Sequence, residues 1–126
     1  MVRECTGYLE SNIDTPRAKA ELIAEVAKEK KAEDIVLMDM SGVSAFCDYF
    51  IIMTATNRRQ VKAISDELEE KLEEEGVMLW HREGGSDASW VLLDFGNCVV
   101  HVFEPEARKF YGLEGLWGDV PTESLS

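Results

Sequence analysis

Two strand-forming runs joined by Gly96-Asn97 constrain the fold of this chain more than any other feature of its sequence. Residues 90–103 read WVLLDFGNCVVHVF. A Gly-Asn pair between β-branched and aromatic residues is a strong signal for a β-hairpin with a two-residue turn. Because successive side chains of a strand point to opposite faces, such a turn determines which residues share a face. The sequence therefore predicts an antiparallel hairpin with a defined register.

The two faces of the predicted hairpin differ in composition. One face is uniformly apolar and consists of Val91, Leu93, Phe95, Cys98, Val100 and Val102. The other face mixes aromatic, acidic and imidazole side chains and consists of Trp90, Leu92, Asp94, Val99, His101 and Phe103. A uniformly apolar face is typical of a core, whereas a mixed face is compatible with a core, a catalytic site or a protein interface. The function depends on which of these the mixed face is.

Helical and strand patterns alternate along the rest of the chain. Apolar spacing predicts helices at 15–31, 57–75 and 105–111, and apolar runs predict strands at 35–40, 49–54 and 77–82. Only residues 41–48 join the first two strands, and this is too short for a helical crossover, so the pair is predicted to be antiparallel. With the hairpin, the order α-β-β-α-β-β-β-α predicts an α/β (α+β) fold in which helices flank a mixed five-stranded sheet.

The same pattern predicts one domain with short tails. The domain spans residues 15–120, a loose polar tail occupies residues 1–14, and a second tail occupies residues 121–126. A chain of 126 residues suits one domain with a modest core. No apolar run approaches the roughly 20 residues of a membrane span, and the N-terminus lacks an apolar signal core. We therefore expect no membrane partner.

The charge and the cysteines narrow the choice of partners and compartment. The chain carries 25 acidic and 13 basic residues, a formal net charge of −12. Since phosphate neutralisation drives nucleic-acid affinity, direct binding to nucleic acid is not expected, and a basic protein is a better candidate partner. The alternative is that the charge only confers solubility. Three cysteines without close pairs argue against a disulfide framework and favour a reducing cytoplasm.

The residues required for catalysis are incomplete. Nucleotidyltransferase-like folds have mixed sheets of this kind, and their catalytic magnesium needs two carboxylates one residue apart on a strand. Asp48 and Asp94 each supply one acid without the second, and the correctly spaced Glu104 and Glu106 lie where the last helix starts. No Cys-x-x-Cys or His-x-x-x-His spacing occurs, so a zinc site is not expected. The sequence predicts no catalytic residue, no metal site and no cofactor.

A cysteine–histidine pair is not supported either. Cys98 and His101 are three residues apart on a strand, and an odd offset places them on opposite faces. A pairing of Cys47 with His101 stays open, with nothing in the sequence to favour it. A histidine inside a hairpin is more often a hydrogen-bonded structural residue than a catalyst.

Three segments of the chain together carry a family resemblance. The first comprises residues 32–44, DYFII at 48–52 and TATNRRQVKAI at 54–64; the second is the hairpin at 90–103; the third is EARKFYGLEGLW at 106–117. Together they resemble the ribosome silencing factor family (RsfS, Iojap-like). In order and spacing the resemblance covers roughly residues 17–120. Two positions depart from it, because the family usually has Gly in place of Ala55 and Asp in place of Asn97.

The resemblance implies a nucleotidyltransferase-like topology without its catalytic carboxylates and a function without catalysis. Family members bind the large ribosomal subunit through ribosomal protein L-fourteen. They sterically block joining of the small subunit and so repress translation under nutrient limitation. The contact residues that the resemblance implies are Trp90, Leu92 and Asp94 on the hairpin and Tyr111, Leu113 and Glu114 after the last helix.

Three alternatives stay open beside this expectation. A metal-dependent nucleotidyltransferase with an atypical site is the first. The second is a dimeric scaffold whose apolar hairpin face pairs with itself, since family members can form homodimers. The third concerns the contact residues, because Trp90 could simply pack on Phe103, and Leu113 with Leu116 could only dock the C-terminal segment.

Overall fold

The structure, a computed structural model, describes residues 15–125 as helices packed on a mixed sheet. The elements follow in the order α1 Pro16–Glu29, β1 Glu33–Asp39, β2 Tyr49–Thr54, α2 Arg58–Glu74, β3 His81–Glu83, β4 Trp90–Asp94, β5 Cys98–Phe103, α3 Pro105–Tyr111, α4 Leu113–Leu116 and β6 Thr122–Ser124. The predicted loose tail at residues 1–14 lies outside the described residues.

The strands form one sheet in the order β3-β4-β5-β2-β1-β6. Strands β2 and β5 are parallel, and every other neighbouring pair is antiparallel. The mixed sheet and the antiparallel β1–β2 pair are as predicted. The sheet of the described chain has six strands, however, rather than the predicted five.

The additional strand, β6, comes from residues predicted to form a C-terminal tail. Its Thr-Glu-Ser sequence is exposed and has no apolar alternation, so no local pattern indicated a strand. Backbone pairing with β1 holds it in place, and Leu125 N donates to Ile35 O at 2.8 Å. A two-pronged ion pair between Arg17 of α1 and Glu123 adds a side-chain contact.

The β4–β5 hairpin has the predicted two-residue turn and register. Trp90 lies opposite Phe103 and Asp94 lies opposite Val99, and Phe95 N donates to Cys98 O at 2.9 Å to close the turn. Gly96 has φ +93°, a conformation that favours glycine, and its N–H donates to the Asp94 carboxylate at 2.8 Å. Turn chemistry and alternation thus determine both faces of the hairpin.

Helices α1 and α2 cover one face of the sheet and bury the apolar hairpin face. Both begin at a capping side chain: Thr15 Oγ1 accepts from Ala18 N at 3.1 Å, and Asn57 Oδ1 accepts from Gln60 N at 2.8 Å. Val91, Leu93, Val100 and Val102 are fully buried in this core. The apolar hairpin face is therefore unavailable for pairing with a second copy, which overturns that form of the dimeric scaffold. No helix within residues 15–125 has the length and apolar character needed to cross a membrane.

The third strand is shorter than predicted. It begins at His81, whereas the apolar run was expected to be a strand from residue 77. Trp80 N still donates to Asp94 O at 2.8 Å, but Met78 and Trp80 are largely exposed. Within residues 77–80, Val77 and Leu79 therefore pack toward the larger core, whereas Met78 and Trp80 form an exposed apolar surface.

A smaller core occupies the opposite face of the sheet. Met38, Met40, Ile52, Phe103 and Val120 are buried there, and partly buried residues from α3, α4 and the segment after them pack against this group. The described residues after 104 cover only part of this face. The rest of it is the mixed side of the hairpin.

Candidate functional site

Aromatic rings converge where the hairpin meets the end of α3. The Trp90 ring lies 4.5 Å from the Tyr111 ring and 5.0 Å from the Phe103 ring, measured between centroids. Phe103 is buried and Trp90 is half-buried, whereas Tyr111 is 48% exposed. We call the sheet face with Trp90, Leu92, Asp94, His101 and Phe103, together with Tyr111, the aromatic face. Its rings run from the core to the surface, so the exposed ring has a rigid support.

His101 is a buried residue that holds Trp90 through a hydrogen bond. It is 3% exposed, and its Nδ1 atom accepts a hydrogen bond from Trp90 Nε1 at 3.2 Å. Desolvation lowers the pKa of His101 from 6.5 to about 4, because burial penalises the charged ring. An acceptor role for Nδ1 in a neutral ring places the proton on Nε2, which makes no hydrogen bond within residues 15–125. The ring is therefore the hydrogen-bonded structural residue that the sequence favoured, and it holds the Trp90 indole in one orientation.

Leu92 and Asp94 continue the aromatic face along β4. Both are half-buried, and they lie opposite Glu83 and His81 of the edge strand β3. The Asp94 carboxylate also accepts from Gly96 N, so the turn fixes its position. The three predicted hairpin residues therefore share one face, as alternation requires.

Tyr111 and Leu113 flank a left-handed elbow between α3 and α4. Gly112 has φ +57° and joins the two short helices. Leu113 is half-buried and packs against the smaller core. Leu116 is 69% exposed, so it does not dock this segment, contrary to one alternative interpretation. The structure thus places Tyr111 on the surface and makes Leu113 partly a packing residue.

Glu114 stabilises the elbow through an ion pair. Its two carboxylate oxygens accept from Arg108 Nε and a terminal guanidinium nitrogen at 2.8 and 2.9 Å. Arg108 also donates to Thr54 Oγ1 and to Asp34 O, both at 2.7 Å. These contacts with Arg108 lower the pKa of Glu114, which keeps the carboxylate ionised. Glu114 therefore connects α4 to the sheet through Arg108, a role that the sequence did not reveal.

Two further apolar residues extend the exposed surface at this end. Phe110 is 82% exposed and contacts the Tyr111 ring edge-on at 5.1 Å, and Leu116 is exposed as described above. Helix α3 has no buried residue, which is unusual for a segment containing Phe and Tyr. The short length of α3 was the feature of the sequence that could have indicated this exposure, because a helix of two turns cannot bury aromatic residues on every side. Clustered exposed apolar side chains of this kind mark interaction surfaces.

Cys47 and Cys98 are the cysteines of the described chain that were considered as nucleophiles. Cys98 is buried in the larger core, on the face opposite His101, and burial raises the pKa of its thiol to about 12. Burial also raises the pKa of the Cys47 thiol, so neither group is an activated nucleophile. Within residues 15–125 no three His, Cys, Asp or Glu side chains are arranged to hold a metal ion.

Comparisons with known proteins agree with the resemblance. The family model described as "Ribosomal silencing factor during starvation" (RsfS) matches residues 13–126. A ribosomal silencing factor RsfS from Bacillus subtilis is 42% identical over 104 residues, which are 82% of this chain and 88% of the relative. The chloroplastic protein Iojap from Zea mays is 37% identical over 77% of this chain and 42% of its own length. A crystal structure of a protein from Chromobacterium violaceum superposes with a TM-score of 0.80 at 33% identity, covering 89% of this chain and 93% of that one.

Proposed function

Because this chain belongs to the RsfS family of ribosomal silencing factors, we propose that it binds the large ribosomal subunit through the aromatic face. The partner is ribosomal protein L-fourteen, and the bound protein sterically prevents the small subunit from joining. Translation is thereby repressed under nutrient limitation. The protein acts in the cytoplasm, without catalysis and without a cofactor.

The observation that carries the proposal is the supported pair of Trp90 and Tyr111. Interface hot spots are enriched in Trp and Tyr that are held rigidly, since ordering a flexible side chain on binding costs free energy. Here the His101 hydrogen bond and the Phe103 ring hold Trp90, and Trp90 in turn supports the exposed Tyr111. The contact is therefore organised before the partner arrives.

Charge favours a basic protein partner for this face. The chain has a net charge of −12, and Asp94 lies on the face itself, with Glu83 opposite Leu92 at its edge. An acidic surface around aromatic anchors accelerates encounter with a positively charged partner. A homodimer that uses the same face would compete with ribosome binding.

Subunit association tests the proposal directly. Isolated large subunits are incubated with the protein, small subunits are added, and the mixture is separated on a sucrose gradient. We expect the protein to sediment with large subunits and the joined-ribosome peak to fall. Normal joining in the presence of excess protein would refute the proposal. Added Mg²⁺ and nucleotide should produce no turnover; turnover would favour the nucleotidyltransferase alternative instead.

Tyr111→Ala connects that result to the aromatic face. Truncating a hot-spot aromatic costs about 2 kcal/mol or more, or roughly thirtyfold in affinity. Because Tyr111 is half-exposed, the thermal unfolding midpoint of the Tyr111→Ala variant should differ little from that of the wild type. Trp90→Ala should weaken binding as well and also lower the midpoint, since Trp90 packs on Phe103. Glu25→Ala, an exposed change on α1, is the control and should alter neither quantity.

A further inference from the structure

A second exposed apolar surface lies at the turn end of the hairpin. Phe46 is 91% exposed, Met78 is 72% exposed and Trp80 is 71% exposed. They line a cavity of about 500 Å³, together with Gly96 of the turn. The Trp80 indole lies so close to Gly96 that a Cβ there would come within 3.2 Å of the ring. Large apolar side chains are thus held at the surface around a concave site.

The concave surface continues on the other side of Met78. A neighbouring cavity of about 360 Å³ shares Gly76, Val77 and Met78 with the first and is also lined by Glu69 and Glu73. We call the two cavities together the turn groove. Because the two cavities share three lining residues, they adjoin one another, and a ligand that occupies both has to be extended.

The turn groove lies at the Asp94 end of β4, away from the Trp90–Tyr111 end of the aromatic face. Trp90 begins β4 and Asp94 ends it, and Trp80 N donates to Asp94 O at the far end. At about 3.3 Å per residue, the length of β4 separates the two ends by about 13 Å. A partner bound at Tyr111 therefore leaves Trp80 uncovered unless it extends along the whole strand.

The polar lining of the turn groove is acidic. Glu69, Glu73 and Glu75 line it, and within the described chain neither Glu73 nor Glu75 forms an ion pair. The cation in the lining is Lys19, whose Nζ donates to Asn97 Oδ1 at 2.8 Å and Phe95 O at 3.2 Å. Lys19 is thus engaged by the hairpin turn, and the carboxylates at the helix end are available to a ligand.

We propose that the turn groove binds an extended, basic segment of a partner protein. An apolar side chain of that segment occupies the cavity beside Trp80 and Met78, and its cationic neighbours pair with Glu73 and Glu75. Charge disfavours other occupants. Nucleic acid and anionic membranes would be repelled by these carboxylates, and a second copy would bring another net charge of −12 to the same place.

A short fluorescein-labelled peptide of alternating lysine and leucine is the probe. A peptide with glutamate in place of lysine is its charge control. Binding is followed by fluorescence anisotropy and by the methyl NMR signals of methionine. Met78 lines the turn groove, whereas Met38, Met40 and Met53 are buried and serve as internal references. We expect the lysine peptide to bind and to shift the Met78 signal selectively, and the glutamate peptide not to bind.

Matched variants distinguish the groove from general attraction to an acidic protein. Trp80→Ser should reduce lysine-peptide affinity about tenfold or more, as expected for an interface aromatic. Glu73→Lys with Glu75→Lys should reduce it and make it less dependent on salt. Phe110→Ser removes another largely exposed aromatic ring, beside Tyr111, and should leave the lysine-peptide affinity unchanged. All four positions are exposed, so each variant should fold.

Several outcomes would overturn the proposal. These are equal affinities for wild type and Trp80→Ser, equal losses for Trp80→Ser and Phe110→Ser, or binding without a Met78 shift. Concentration-dependent dimerisation abolished by Trp80→Ser would assign the groove to a second copy instead. None of these measurements uses ribosomes, so the groove can be tested even if the proposed silencing function fails.

Discussion

The two faces of the β4–β5 hairpin come from the same fourteen residues but have opposite surroundings. On one face Leu93 is fully buried beneath α1 and α2; on the other, its neighbour Leu92 is half-buried in the aromatic face. Both faces contain large apolar side chains. The difference shows that hydrophobic content alone does not separate a core from an interface, because exposure depends on what covers the strand.

Helix length explains the difference in covering. Helix α1 has 14 residues and α2 has 17, whereas α3 has 7 and α4 has 4. At 1.5 Å per residue, α2 extends about 25 Å and α3 only about 10 Å. The short helices therefore cover the region of Phe103 and Met38 but leave Trp90, Leu92 and Asp94 partly open.

The largest expected effect on stability comes from replacing one of two adjacent leucines, Leu93, with alanine and comparing it with the same change at Leu92. Leu93→Ala should lower the free energy of unfolding by about 2–5 kcal/mol, because it leaves a cavity in a closed core. Leu92→Ala should cost only about 1 kcal/mol but weaken large-subunit binding. Urea denaturation and co-sedimentation of both variants measure the two quantities. Similar losses of stability for Leu93→Ala and Leu92→Ala would mean that the two hairpin faces are equally buried, which would contradict the difference described above.

The titration of His101 should give the next largest effect. Its pKa is about 4 in the folded protein and about 6.5 when unfolded, so the folded state disfavours protonation. The stability contributed by the neutral ring is therefore fully present above about pH 6.5. It falls as the pH drops toward 4, by up to about 3 kcal/mol.

His101→Gln isolates this effect, because Gln supplies an acceptor for the Trp90 indole but does not titrate. Urea unfolding of both proteins across pH 4 to 7 gives the difference in the free energy of unfolding. As the pH falls, the wild type should lose stability relative to the His101→Gln variant. A constant difference would mean that His101 is solvated, and that the aromatic face is wetter than its geometry indicates.

The smallest effect concerns Glu114, whose pairing with Arg108 makes it a structural residue more than a free charge. Glu114→Gln should lower stability by about 0.5–1 kcal/mol, as for a partly exposed ion pair. Glu114→Lys should slow association with large subunits more at low salt than at high salt, because salt screens edge charges.

Glu106→Lys is the matched control for charge, since Glu106 is exposed on α3. Association rates of both variants are measured at two salt concentrations. If both substitutions slow association equally, the net charge of the protein and not Glu114 steers it toward the large subunit. An effect of Glu114→Lys that is independent of salt would remove Glu114 from the proposed contact.

Local chemistry in the sequence determined the hairpin, its register and the membership of its two faces, because alternation and a two-residue turn act over a few neighbouring residues. The helix starts at Thr15 and Asn57 were determined in the same way by capping side chains. Tertiary structure alone decided the rest. Strand β6 exists through backbone pairing with β1, more than 80 residues earlier in the chain. The exposure of Trp80 and Tyr111 depends on which helices reach them, and the partner of Glu114 depends on how α3 packs against β2. These outcomes follow from contacts between distant segments, for which no short-range pattern carries a signal.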